Sequence, residues 1–329
     1  MGRMRVSRRW FIYSGFGAAV SWSHALGQGA RQWRIGHVVA GSNESLRRLT
    51  QAMRTSLDDI GLLESDVKMI PRVELRPILV AETIRTLISE IDILVTSGTV
   101  VAVAAKKIAP SSLPIVFLSV GDPVAIGLVE TLSHPGANMT GVMFEAAMET
   151  YGKRLEFLKE LKPGLSRVAV LRAKNDPNVV PAMVALDRLA HQYAVSLAGF
   201  DFDGPEQLEG IFEKVEAAGS EAMVVVSGSL TFAHGKKIAD LAIEHKIPTS
   251  GGFKETVAAG ALVSVGPDLP GMSKQGADYI KKHIQRVKPA DLPVQQPTRY
   301  EVAVNMRTAE MVGLQVPQSI LVKADIIIE

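Results

Sequence analysis

From residue 34 onward, short runs of branched apolar residues alternate with stretches whose apolar positions recur at helical spacing, and this alternation is the strongest constraint on the fold. A run such as Ile93-Leu94-Val95 is apolar on both faces of an extended strand, so both faces need cover. Helices between successive strands supply it, which is the pattern of parallel sheet wrapped on both sides. Strands are expected at 34–40, 67–72, 91–96, 113–120 and 139–144, and then at 167–171, 195–202, 222–226, 247–250 and 261–265. Between the first two, Leu46, Leu49, Met53, Leu57 and Ile60 fall on one helical face and Gly61 ends the helix. Later, Met183, Leu186, Leu189 and Tyr193 share a face, as do Ile238, Leu241 and Ala242. Five strands followed by five predict an α/β chain of two doubly wound lobes, with the first change of lobe near residues 145–150.

A helical pattern over 272–287 follows the second series and is assigned back to the first lobe. The segment Pro289-Ala290-Asp291-Leu292-Pro293 up to Pro297 has turn-prone chemistry and no helical period, so it is read as a further connection between lobes. A strand at 300–304 and a helix at 306–313 then complete the second lobe. The expected division is 34–145 plus about 268–297 for lobe 1, and 146–267 plus about 298–329 for lobe 2. Two ordinary domains joined once remain the alternative that periodicity leaves open.

Lysine and arginine total 36 against 34 acids, but Arg3, Arg5, Arg8 and Arg9 all precede residue 28 and no acid does, so the rest of the chain has a formal charge of −2. That body has no basic field for nucleic acid, and no nucleic-acid partner is expected. With no cysteine, disulfides, thiolate metal sites and a cysteine nucleophile are excluded.

Residues 1–27 have the layout of a twin-arginine export signal. Ser7-Arg8-Arg9-Trp10-Phe11-Ile12 is followed by a moderately apolar run to Leu26 that is interrupted by Ser14, Gly15, Gly17, Ser21 and Ser23. The run is shorter and more polar than the roughly 20 apolar residues of a spanning helix, and a membrane anchor is the lesser reading. Ala25 and Gly27 place cleavage after Gly27, with Ala30 a nearby alternative. The expected location is the periplasm.

The seven histidines are scattered without metal-ligand spacing, no Gly-x-Ser-x-Gly elbow occurs, and Gly228 to Lys237 lacks the spacing of a phosphate loop. No catalytic residue, metal or cofactor is expected. What stands out is a set of small polar turns directly after buried strands. Ser97-Gly98-Thr99 opens a helix whose free N–H groups favour an anion or carbonyl oxygen, and Asp122-Pro123, after Gly121, reads as a helix start. Ser227-Gly228-Ser229 and Gly251-Gly252-Phe253 follow two strands of the second series. Ligands of open parallel sheets bind at such strand ends. The candidate ligand-binding set is therefore Ser97, Gly98, Thr99, Gly121, Asp122, Ser227, Ser229, Gly251 and Gly252, completed by Ser42 and Asn175. Helix capping alone is the competing explanation for each turn.

Several longer motifs run in order along residues 34–329. They are Ile93-Leu94-Val95-Thr96-Ser97-Gly98-Thr99, Leu113-Pro114-Ile115-Val116-Phe117, Val120-Gly121-Asp122-Pro123-Val124, His134-Pro135-Gly136-Ala137-Asn138-Met139-Thr140-Gly141, Lys153-Arg154-Leu155-Glu156-Phe157-Leu158 and Pro289-Ala290-Asp291-Leu292-Pro293. Together they resemble the substrate-binding proteins of the tryptophan-uptake type of ABC transporter. The resemblance implies a type I periplasmic binding-protein fold, with three crossings between lobes and a small-molecule ligand in the cleft. It also implies an inner-membrane ABC permease as partner and a monomeric receptor. Members of that family commonly carry an acid where this chain has Gly228, and aromatic rings where it has Gly251 and Val265. A small polar or carboxylated ligand is therefore expected rather than an aromatic amino acid. A two-domain α/β enzyme using the same cleft, or a ligand-sensing partner of a membrane receptor, are the alternatives.

Overall fold

In the computed structural model, which describes residues 31–297 and 299–329, the branched runs become the strands of two sheets. Along the first part of the chain come β1 (Trp33–Ala40), α1 (Asn43–Asp59), β2 (Val67–Glu74), α2 (Val80–Ile88), β3 (Ile93–Ser97), α3 (Thr99–Ile108), β4 (Ile115–Val120) and β5 (Met139–Met143). These strands lie in the order β2-β1-β3-β4-β5, every neighbouring pair parallel. Strand alternation sends Ile35, Ile93 and Val95 to one face, where they pack with Met53 and Leu57 of α1. Val38 and Leu94 go to the other face, against Ile84 and Leu87 of α2 and Val101 and Ala105 of α3. Each such fully buried aliphatic side chain contributes about 1.5–3 kcal/mol, so the sheet cannot shed either helical layer.

The second part contains α4 (Ala147–Leu161), β6 (Arg167–Ala173), α5 (Val179–Tyr193), β7 (Ser196–Phe202), α6 (Leu208–Ala217), β8 (Ala222–Val225), α7 (Ser229–Ala233), α8 (Gly235–Glu244), β9 (Thr249–Gly251), α9 (Lys254–Ala258) and β10 (Val263–Pro267). After α10 (Leu269–Ile284) the chain adds β11 (Tyr300–Asn305), α11 (Met306–Met311), α12 (Gln318–Lys323) and β12 (Ile326–Ile328). The order of this sheet is β12-β11-β10-β9-β8-β6-β7, with β11 antiparallel to β10 and the other pairs parallel. Helices α4 and α5 cover one face through Leu155, Leu158, Leu186 and Leu189, and α6 and α8 cover the other through Phe212, Val215, Ile238 and Leu241.

Strand β12 was not expected. Its three isoleucines are too few to show a period, and only pairing with β11 fixes them as a strand. Helix α10 packs on α1, β4 and β5 of the first sheet, with Ala277 and Ile280 in the same apolar cluster as Met53 and Ile93. It starts at Leu269 rather than 272, because Asp268 accepts the Gly271 N–H as an N-cap and Pro270 occupies the first turn. The segment after α10 makes one short 3₁₀ turn and then runs beside β5, where Gln295 takes the Met143 N–H and gives its own N–H to Gly141.

The chain passes between the sheets at residues 144–147, 267–269 and 296–300, and two sets of hydrogen bonds tie these crossings together. Arg154 of α4, fully buried, bonds Glu145 of the first crossing at 2.5 Å and the carbonyl of Val265 beside the second at 3.1 Å. The Ala146 N–H donates to the Tyr300 hydroxyl of the third at 2.9 Å. The proposed export signal, residues 1–27, lies outside the described residues.

Candidate ligand-binding cleft

The carboxyl ends of β1, β3 and β4 face those of the second sheet across a cavity of about 60 Å³. On the measure used for buried water, one molecule needs about 10–15 Å³, so the space suits a small organic molecule. Its floor on the first-sheet side is Ser97, Gly98 and Thr99, where β3 turns into α3. Gly98 takes φ +97°, and a Cβ there would lie 2.6 Å from Ser229 Oγ of the facing turn. Glycine is therefore required both by the backbone and by the approach of the two halves. No side chain caps α3, so its first N–H groups are left for whatever enters the cavity.

The two hydroxyls of this turn are used differently. Thr99 Oγ1 accepts the Gly121 N–H at 3.1 Å and donates to Asn178 Oδ1 across the cleft at 2.8 Å. Its only proton is committed to the protein, so Thr99 has none to offer a ligand. Among the described residues Ser97 Oγ meets only His37 Nε2, at 2.8 Å, and His37 Nδ1 meets Thr50 Oγ1 at 3.0 Å. Burial lowers His37 to about 4, so the imidazole is neutral at physiological pH. This Ser–His pair has the geometry of a nucleophile and base, which no sequence motif showed. Yet an imidazole near 4 is a weak base, and Thr50 carries no charge to stabilise an imidazolium. The pair is built to hold a hydroxyl rather than to activate one.

The walls are apolar. Phe144, just after β5, Phe232, within α7, and Phe253, at the start of α9, converge, with Phe144–Phe253 centroids 5.5 Å apart and Phe232–Phe253 edge-on at 5.3 Å. Leu49, Leu118, Leu269 and Met272 complete that surface. None of the residues lining the cavity is charged. One carboxylate stands just behind the wall. A Cβ on Gly228 would lie 2.3 Å from Asp176 Oδ2, so the buried Asp176 fills the place of a side chain at 228. Burial pushes Asp176 up to about 6, although its Oδ1 accepts the Asn178 N–H.

Of the residues expected from sequence, the structure brings Ser97, Gly98, Thr99 and Ser229 together around this cavity. Ser227, Gly251 and Gly252 line a second, smaller cavity of about 30 Å³ on the far side of Phe232 and Phe253. Four expectations are corrected. Ser42 is the N-cap of α1, accepting the Ser45 N–H, and it is Ser45 that reaches the cavity. Gly121 leaves room for Asn178, whose Oδ1 a Cβ would meet at 2.3 Å. Asp122 accepts the N–H groups of Val124 and Ala125, closing a tight turn over 123–127 instead of the expected helix, because Gly127 at φ +70° curls the segment back. Asn175 sits in an exposed left-handed turn, and the buried Asn178 reaches the cleft in its place. Ser119 was also missed. It lies at the register shift of β4 with φ +54° and lines the cavity, a bulge that re-aims the strand end toward the site.

Residues 35–328 match the family model of the ABC transporter substrate binding protein. The chain belongs to this family. Its similarity to a curated tyrosine-binding protein of Clostridioides difficile (strain R20291) is 24% identity over 213 residues, covering 63% of this chain and 59% of the relative. This substrate-binding protein thus matches less than two thirds of that relative's length. Among solved structures, a conserved domain protein from Vibrio cholerae O1 biovar El Tor superposes with a TM-score of 0.84 at 23% identity, covering 90% of this chain and all of that one. The ABC domain in complex with L-Trp from Streptococcus pneumonia gives 0.83 at 22%, covering 91% of this chain and all of the other. The substrate-binding protein has the type I periplasmic binding fold. No helix among the described residues is long and apolar enough to cross a membrane.

Proposed function

We propose that this chain is the exported receptor of an ABC import system and encloses a small carboxylate with a compact apolar, ring-bearing body. Lobe 1, residues 34–145 plus about 268–297, offers the start of α3 and the Ser97 hydroxyl to the carboxylate. Lobe 2, residues 146–267 plus about 298–329, offers Phe232, Phe253 and Ser229 to the body of the ligand. The observation that carries this reading is a cavity with a ring-lined wall, an uncapped helix start and no charged side chain among its lining residues. An ammonium group would find no anionic partner in that lining. Tyrosine and L-Trp, named for two relatives, share the carboxylate and the ring but add such an ammonium. The twin arginines Arg8 and Arg9 support export to the periplasm, and membership of the family supports an inner-membrane ABC permease as partner of a monomeric receptor.

A thermal-shift panel tests the ligand class. At about 100 times its Kd a ligand adds about 2.7 kcal/mol, which moves melting by several degrees. Benzoate and phenylacetate are expected to shift melting upward and more than L-tryptophan, L-tyrosine or L-phenylalanine. Larger shifts with the amino acids, and none with the simple carboxylates, would show that an ammonium is recognised and would overturn this assignment.

A further inference from the structure

His37 lies on β1 facing α1, one strand away from Ser97 in the register that pairs Val39 with Ser97. It is fully buried, and among the described residues its ring bonds only two hydroxyls, Thr50 Oγ1 at Nδ1 and Ser97 Oγ at Nε2. Neither hydroxyl has a second side-chain hydrogen-bond partner among the described residues. Two proton arrangements satisfy these contacts, because a neutral imidazole carries one N–H. With the proton on Nδ1, the ring donates to Thr50 Oγ1, the Ser97 proton is held by Nε2, and the cavity is offered only lone pairs. With the proton on Nε2, Thr50 donates to Nδ1, the ring donates to Ser97 Oγ, and the Ser97 proton is left pointing at the cavity.

We propose that Thr50, His37 and Ser97 form a one-way hydrogen-bond relay that presents the Ser97 proton to a bound anionic oxygen, which makes His37 the positioning residue for carboxylate recognition. The proposal rests on the reading of the cleft as a carboxylate site. It follows from the neutral arrangement that leaves the Ser97 proton free for a bound acceptor, since His37 Nε2 then donates to Ser97 Oγ and Thr50 can donate to Nδ1. In the neutral ring this direction makes Thr50 the donor to Nδ1 and Ser97 the acceptor from Nε2. Burial keeps the ring neutral.

The ring nitrogens of His37 can be read directly by NMR of the protein labelled with ¹⁵N- and ¹³C-histidine, with His37→Gln identifying its signals. At neutral pH and without added ligand, Nε2 is expected to be protonated and Nδ1 bare. A ring protonated on Nδ1, or on both nitrogens, would overturn the relay. Benzoate is the probe for its effect on binding. His37→Leu should weaken benzoate by about tenfold or more, since the Ser97 hydroxyl is no longer oriented toward a charged acceptor. His37→Gln should stay within about threefold of the parent, because its carboxamide can accept from Thr50 and donate to Ser97. Equal losses in the two variants, or none in either, would contradict the proposal. Failure of benzoate to bind the parent protein would overturn the carboxylate reading, and the ring nitrogens would still decide the direction of the relay.

Discussion

Thr99 of the first lobe donates its hydroxyl proton to Oδ1 of Asn178 on the second, 2.8 Å away, in a side-chain hydrogen bond that spans the cleft floor. Both residues are buried, and each holds a second polar group in place. Thr99 Oγ1 accepts the Gly121 N–H, and Asn178 Nδ2 donates to the Ser227 carbonyl at 3.1 Å. One pair thereby links the turns after β3, β4, β6 and β8 across the site.

If this link holds the lobes together in solution, the two residues are coupled. A double-mutant cycle with Thr99→Val and Asn178→Ala should give a coupling energy of about 1 kcal/mol in chemical denaturation. Additive losses would mean that the two side chains do not meet in the ligand-free protein.

Arg154 and Glu145 form a buried pair at the crossings, and removing one member leaves the other charge uncompensated. Arg154→Met is expected to destabilise the protein by about 3–5 kcal/mol, whereas Arg154→Met with Glu145→Gln should recover much of that loss. Denaturant midpoints compare the three proteins. A single variant no less stable than the double one would place the ion pair outside the energetics of the crossings.

Two buried groups give the site opposing pH dependences. Burial lowers His37 from 6.5 to about 4, so its stabilising share is present above 6.5 and lost as pH falls toward 4. Burial raises Asp176 from 3.8 to about 6, so its share is present below 3.8 and lost as pH rises through 6. Between pH 6.5 and 4 the two nearly offset. Asp176→Asn removes one of them, and that variant should lose on the order of 2–3 kcal/mol over this range while the parent changes little. Parallel pH profiles for the two proteins would contradict the upward shift of Asp176.

Much of the architecture was legible because it rests on local periodicity. The face made by Met53 and Leu57, the strand Ile93–Ser97 and the polar turn after it all announce themselves within a few residues. The turn residues Ser97, Gly98, Thr99 and Ser229 could be picked for the same reason: each follows a buried strand. The ring wall could not. Phe144, Phe232 and Phe253 belong to a strand end, a short helix and a helix start with no shared sequence pattern, while positions 251 and 265, where the resembled family carries rings, are glycine and valine. Nor does local chemistry show that Asn178 rather than Asn175 turns inward. That choice depends on Asn175 taking φ +61° and on Asp176 accepting the Asn178 N–H. His37 looked like one scattered histidine among seven until strand register set it beside Ser97.

The most direct test of the account is native mass spectrometry of the protein purified without denaturation from a source able to supply its ligand, with the released molecule identified. One small molecule per chain, unchanged on release, bearing a carboxylate and a compact ring and no ammonium, is the predicted result. A bound amino acid or a cationic ligand, or conversion of the released molecule into a product on incubation with the protein, would contradict it.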